Sequence, residues 1–272
     1  MERTKVRNIV LPIVDPRVSV STPPLVWPRN RLSYVNAKQR WWVCVRFGSD
    51  ADALIFKKVI EGSSIRLVEF EGNFYIEDPL IPDSASMDAP DRYAQEELPC
   101  LNAAVNLLCP QYVPARFHCG VELFSQGYGQ SIVSVGAVQL GKSQPDAIAE
   151  FLRQSNTHFA GIRDLWMRNA DVREALFYFG SGGNPWSNLY KLTEIIEDYC
   201  EGESELLGRS RCSRSAWDRF RRTANHQEAI GRFSRHARSA VEPPPNPMSV
   251  EEAQSLARDL LQGWIHELLG GG

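Results

Sequence analysis

Residues 131–154 read SIVSVGAVQLGKSQPDAIAEFLRQ, and the apolar pattern changes period inside them. Up to Leu140 the stretch is rich in β-branched residues and suits a strand. Gly141-Lys142-Ser143-Gln144-Pro145 then breaks it, with Ser143 as a helix entry and Pro145 at a position a first helical turn tolerates. Beyond Pro145 apolar residues recur at helical spacing. Strands first and helices afterwards predict an α+β fold. The expected organisation is an extended Pro-rich arm over residues 1–30, an α+β domain with antiparallel strands over 31–142, and a helical bundle over 143–272.

Upstream, Trp41–Phe47 (WWVCVRF) is aromatic and β-branched and reads as a strand. Asp50–Glu61 places Ala53, Leu54, Phe56 and Ile60 near helical spacing and stops at Gly62. Ile65–Phe70 and Phe74–Glu77 flank Glu71-Gly72-Asn73, a hairpin signal. Asp78–Arg92 reads as loop, and Tyr93–Leu108 as a helix that Pro99 kinks or restarts. Val113–Phe124 and Ser131–Leu140 are the remaining expected strands. Downstream, helices are expected over Pro145–Gln154, Phe159–Asn169, Val172–Phe179, Trp186–Cys200, Ser215–Asn225, Gln227–Arg238 and Val250–Leu269. Ser249 and Glu252 fit a capping box that opens the last of them.

The 272 residues are 43% hydrophobic and 23% charged, ordinary for a globular chain and unlike a disordered one. No apolar run reaches the roughly 18 residues that span a bilayer, and the first residues do not read as a secretion signal. The expectation is a soluble, cytoplasmic protein without a membrane partner. Its six cysteines form no CxxC pair and no His lies at zinc-finger spacing, so buried free thiols and no metal are expected. No cofactor is expected either. Gly127-Tyr128-Gly129, Gly141-Lys142-Ser143 and Gly180-Ser181-Gly182-Gly183 lack the spacing of phosphate-binding loops and read as turns. No GxSxG elbow is present.

Charge is unevenly distributed. The net charge is −3, yet nine arginines stand against Asp218 and Glu228 between Arg209 and Arg238. Arginine suits bidentate contact with phosphate, so this block suggests a polyanion or an acidic partner surface. Within Arg219–Arg238 (RFRRTANHQEAIGRFSRHAR), Arg222 and His226 are four apart, as are Arg232 and His236. On a helix each pair would share a face. RNA cleavage without metal needs a group that moves a proton near neutral pH, which histidine supplies, and a cation on the phosphorane, which arginine supplies.

The segment Leu189–Leu269 resembles the C-terminal half of HEPN-type all-helical domains from bacterial defence and toxin systems. LYKLTEIIED, SRHAR and PPPNPMSVEEAQSLARDLL carry the resemblance. It implies a dimer with a composite, metal-independent RNase site built on an Arg-x(4–6)-His motif, which falls on Arg221 and His226. Arg232 and His236 better match the position before the Pro-rich loop, with spacing one residue short. His226 or His236 would then move the proton and Arg221 or Arg232 would bind phosphate. Arg219, Arg222, Arg235 and Arg238 would contact the RNA. The other reading is a non-catalytic interaction module, a homodimer or a subunit of a defence complex, in which the same residues are structural.

Overall fold

The computed structural model describes residues 25–26, 41–70, 72–81, 88–123, 128–133, 155–182, 185–209, 212–234 and 244–270. Its strands are β1 (Leu25–Val26), β2 (Trp41–Arg46), β3 (Arg66–Phe70), β4 (Asn73–Glu77), β5 (Arg116–Leu123) and β6 (Tyr128–Val133). They form one sheet in the order β1-β6-β5-β2-β4-β3, with every pairing antiparallel. Helix α1 (Asp50–Val59) follows β2, and α2 (Ala89–Glu96) and α3 (Leu98–Leu108) lie between β4 and β5. The described residues after β6 are helical: α4 (Ser155–Arg168), α5 (Ala170–Gly180), α6 (Pro185–Tyr199), α7 (Glu203–Arg209), α8 (Arg214–Asn225), α9 (Gln227–Ile230), a 3-10 turn at Gly231–Phe233, and α10 (Val250–Leu268). The fold is α+β.

Alternation in β2 sends Trp41, Val43 and Val45 into the main core and Trp42 and Cys44 to the opposite face. Helix α3 is the hub of that main core. Leu98, Cys100, Leu101, Ala103, Ala104, Val105 and Leu107 are all buried, so it is apolar around most of its circumference. Each fully buried Leu or Val contributes about 1.5–3 kcal/mol. Residues of α1, α4, α5, α6, α8 and α10 join the same core. The expected boundary at residue 142 lies outside the described residues, but the chain on either side of it shares one apolar interior. Contact between the halves is close. A Cβ on Gly180, at the end of α5, would lie 1.9 Å from the Pro99 carbonyl oxygen in α3.

Several local expectations match the structure. The β3–β4 hairpin turns at Gly72, whose φ of 74° favours glycine. Ser249 and Glu252 form the expected capping box of α10; Ser49, for which no role is expected, caps α1. Other elements differ. Helix α2 begins at Ala89, inside the expected loop, and of the two roles expected for Pro99 the restart is the one found: the helices divide at Glu97, and Pro90 and Pro99 each occupy a first turn. A proline there loses no intrahelical hydrogen bond, so it starts a helix and does not kink one. Helix α7 forms where no element is expected; Glu201 (φ 62°) and Gly202 (φ 123°) turn the chain into it.

The expected helix over Gln227–Arg238 is the largest correction. Helix α8 stops at Asn225, and His226 is extended (φ −110°, ψ 117°). Helix α9 ends after Ile230, where Gly231 takes φ 66°. The spacing Arg222–His226 therefore spans a helix end and does not mark one face. Arg232 lies in the 3-10 turn, which ends at Phe233, and Ser234 after it is extended (φ −63°, ψ 149°). Arg235, His236 and Arg238 lie outside the described residues.

Candidate functional site

The Arg-rich segment is built on α8. Trp217, Phe220, Thr223 and Ala224 are buried, and Trp186 and Tyr190 of α6 stack near the Phe220 ring at 6.2 and 6.1 Å between centroids. That apolar stripe fixes where the arginines emerge. Arg219 reaches the start of α10. Its guanidinium donates to both Glu252 carboxylate oxygens (3.0 and 2.9 Å) and to the carbonyls of Asn246 (2.8 Å) and Pro247 (3.0 Å). Beside it, Thr223 Oγ1 accepts from the Met248 backbone N–H at 3.0 Å. Together these clamp the loop before α10 onto α8.

Arg221 emerges on the side of α6 and α7. It donates to Glu203 at 2.5 Å, lies 4.0 Å from Glu197, bonds the Tyr190 side chain and sits over the Trp217 ring at 5.8 Å. Partial burial pulls its pKa down, but Tyr190, Glu197 and Glu203 outweigh that and raise it. Arg214 shares Glu203 at 2.5 Å and is the largest cause holding that carboxyl below its ordinary range. Arg209 lies 3.9 Å from Glu205 and 3.4 Å from Glu267. Arg209, Arg214, Arg219 and Arg221 of the basic block are thus met in space by carboxylates that lie outside it.

His226 is buried, with 7% of its surface exposed. Its Nδ1 accepts the Glu228 backbone N–H at 3.2 Å, which caps α9. Arg221 thus bonds side chains on α6 and α7, while His226 bonds the backbone of α9. Arg222 and Arg232 are exposed. Neither a protein family, a curated protein nor a solved structure matches this chain. The HEPN resemblance rests on the quoted residues alone. Among the described residues, no group of three or more His, Cys, Asp or Glu could hold a metal ion, and no helix is long and apolar enough to cross a membrane.

Two further features were not legible in the sequence. The first is a buried charged cluster between the halves. Asp78, 1% exposed at its side chain, accepts from Arg163 of α4 (2.7 Å), from Tyr93 Oη (2.8 Å) and from the Leu80 N–H (3.0 Å). Burial and then Asp78 push the Tyr93 phenol well up. Close by, Glu97 pairs with Arg173 of α5, and burial raises its carboxyl despite that partner. The second is a cleft of about 700 Å³ between α3, α4, α6, α7 and α10. Leu107, Ile162 and Ile196 line its apolar part, and His158, Arg209 and Glu267 its polar part. Neither feature has a local sequence signature. Asp78 and Arg163 are 85 positions apart, and the cleft draws on five helices.

Proposed function

We propose that this chain is a non-catalytic protein-interaction module, a homodimer or a subunit of a larger complex, whose Arg-rich segment is an internal clamp. The observation that carries this reading is the commitment of the motif residues. Arg219 and Arg221 are held by Glu252 and by Glu203 and Glu197, and His226 is buried as a helix cap. A phosphate would have to displace carboxylates that already satisfy both guanidinium groups. The cleft bordered by α4 and α10 is the surface this reading offers a partner. Its apolar lining is rimmed by both charge signs, and Leu269 at its edge is 38% exposed.

The test incubates the purified full-length chain with total RNA in EDTA and measures its mass in solution by light scattering. The expected result is intact RNA, no salt-dependent RNA binding, and self-association or partner binding that Leu269→Asp weakens. RNA cleavage that His226→Ala abolishes in a folded protein would instead establish the RNase reading, with Arg221 and His226 in the roles the HEPN resemblance implies.

A further inference from the structure

The second face of the sheet carries a small cluster of its own: Trp42, Cys44, Tyr75, Cys119 and Val121, with Val68 against it. All of these residues belong to strands. The register places Cys44 of β2 directly opposite Cys119 of β5 and, on its other side, opposite Tyr75 of β4. The two thiols are hydrogen-bonded to each other. Directly opposed residues in antiparallel strands have Cα atoms about 4.5 or 5.5 Å apart, according to the type of pair. Both separations fall inside the roughly 4.4–6.8 Å that a disulfide accepts.

A β-bulge follows immediately. Cys44 pairs with Cys119, but Val45 pairs with Phe117, so His118 is the extra residue on β5. It explains why Phe117 packs on the main core while Cys119, two positions away, joins the opposite cluster. A bulge interrupts the hydrogen-bond ladder, and the sheet opens most readily where its ladder is interrupted.

We propose that Cys44 and Cys119 are a redox modification site, which a low-molecular-weight disulfide converts into a cross-strand disulfide. The Cys119 hydrogen bond and burial push the Cys44 thiol well above its ordinary range, with Arg46 only opposing them, so a Cys44 thiolate forms when the ladder opens. Its thiolate attacks the oxidant's S–S bond, forms a mixed disulfide and expels one thiolate. Cys119, on losing its proton to solvent, attacks the Cys44 sulfur and expels the second. One S–S bond is broken and one formed, the protein gives up two electrons, and the oxidant leaves as two thiols. Burial of both thiols, at 2% and 3% exposure, makes the reaction slow and dependent on opening at the bulge. Once formed, the bond locks the central β2–β5 pair and closes a loop of about seventy-five residues, which favours the folded chain.

The experiment treats the native full-length chain with oxidised glutathione at pH 8, with and without 1 M urea. It then quenches with acid and maps peptides without reduction. The expected result is loss of two of the six free thiols, a single Cys44–Cys119 peptide pair, and a thermal midpoint raised by roughly 10 °C that dithiothreitol reverses. Cys44→Ser and Cys119→Ser remove the rise, and Cys100→Ser keeps it. Peptide mapping of the wild-type chain gives the answer even where a variant folds poorly. Six thiols surviving under both conditions, linkage of other cysteines, or a Cys44–Cys119 bond that appears only in the fully denatured chain would each overturn the proposal.

Discussion

Replacing Asp78 by Ala tests whether the sheet and the helices fold as one body. The carboxylate is almost fully enclosed and accepts from the Arg163 guanidinium, the Tyr93 hydroxyl and the Leu80 backbone N–H. Its removal leaves Arg163, whose side chain is 12% exposed, as a charge without its counter-ion. Breaking a buried pair in this way costs about 3–5 kcal/mol. For a chain of this size that corresponds to a fall in thermal midpoint of roughly 10 °C. Asp78→Asn keeps an acceptor but loses the charge and should lose about half as much. Arg163→Met introduced into the Asp78→Ala background should cost at least 1 kcal/mol less than it does alone, because the two share one interaction. Chemical denaturation followed by far-ultraviolet dichroism and by tryptophan fluorescence reads both halves. Losses near zero, or helices that retain their midpoint while the sheet loses its own, would refute the shared-body argument.

Other consequences are equally direct. Burial raises the Glu97 carboxyl in the folded chain, so folding takes up a proton between that raised pKa and the unfolded value near 4.5. Stability from this group therefore increases as pH falls through the window; melting curves from pH 7.5 to 5 should show wild type gaining on Glu97→Gln, and parallel profiles would contradict this. Gly180→Ala should destabilise by at least about 1–3 kcal/mol, because its methyl would overlap the Pro99 carbonyl and backbone cannot rotate aside; a neutral substitution would mean α3 and α5 are less closely apposed. His226→Ala should cost about 1 kcal/mol for the lost cap, and His226→Asp should recover part of it in urea titrations; an unchanged midpoint would remove the capping role.

What the sequence disclosed was local. Gly72 between two alternating runs and Ser249 three residues before Glu252 each encode a turn or a cap within a few positions, and both match the structure. Pro99 left a kink and a restart both open because proline at a helix start and proline in a helix interior look alike in a string of residues; the break at Glu97 decides for the restart. The strand–helix switch at residues 131–154 predicted the α+β fold, yet it gave no sign that α3 would be the centre of both halves. The candidate site was legible only in its composition. A run of arginines can be summed along the chain, but the carboxylates that meet them are at positions 197, 203, 205, 252 and 267. His226 looked like a proton carrier because its backbone role, ending α8 and starting α9, leaves no mark on residue spacing.

The position of α3 in the shared core also governs how the chain can be made. Its apolar surface is complete once residue 108 has been synthesised, but the facing residues Val172, Ala175 and Leu176 of α5 come later. At about 5–20 residues per second, a ribosome needs roughly 3–14 s to make the intervening stretch. Throughout that interval the nascent sheet half carries an apolar helix without the residues of α5 that cover it. Truncation anywhere between residues 110 and 170 leaves that surface uncovered for good and should yield insoluble product.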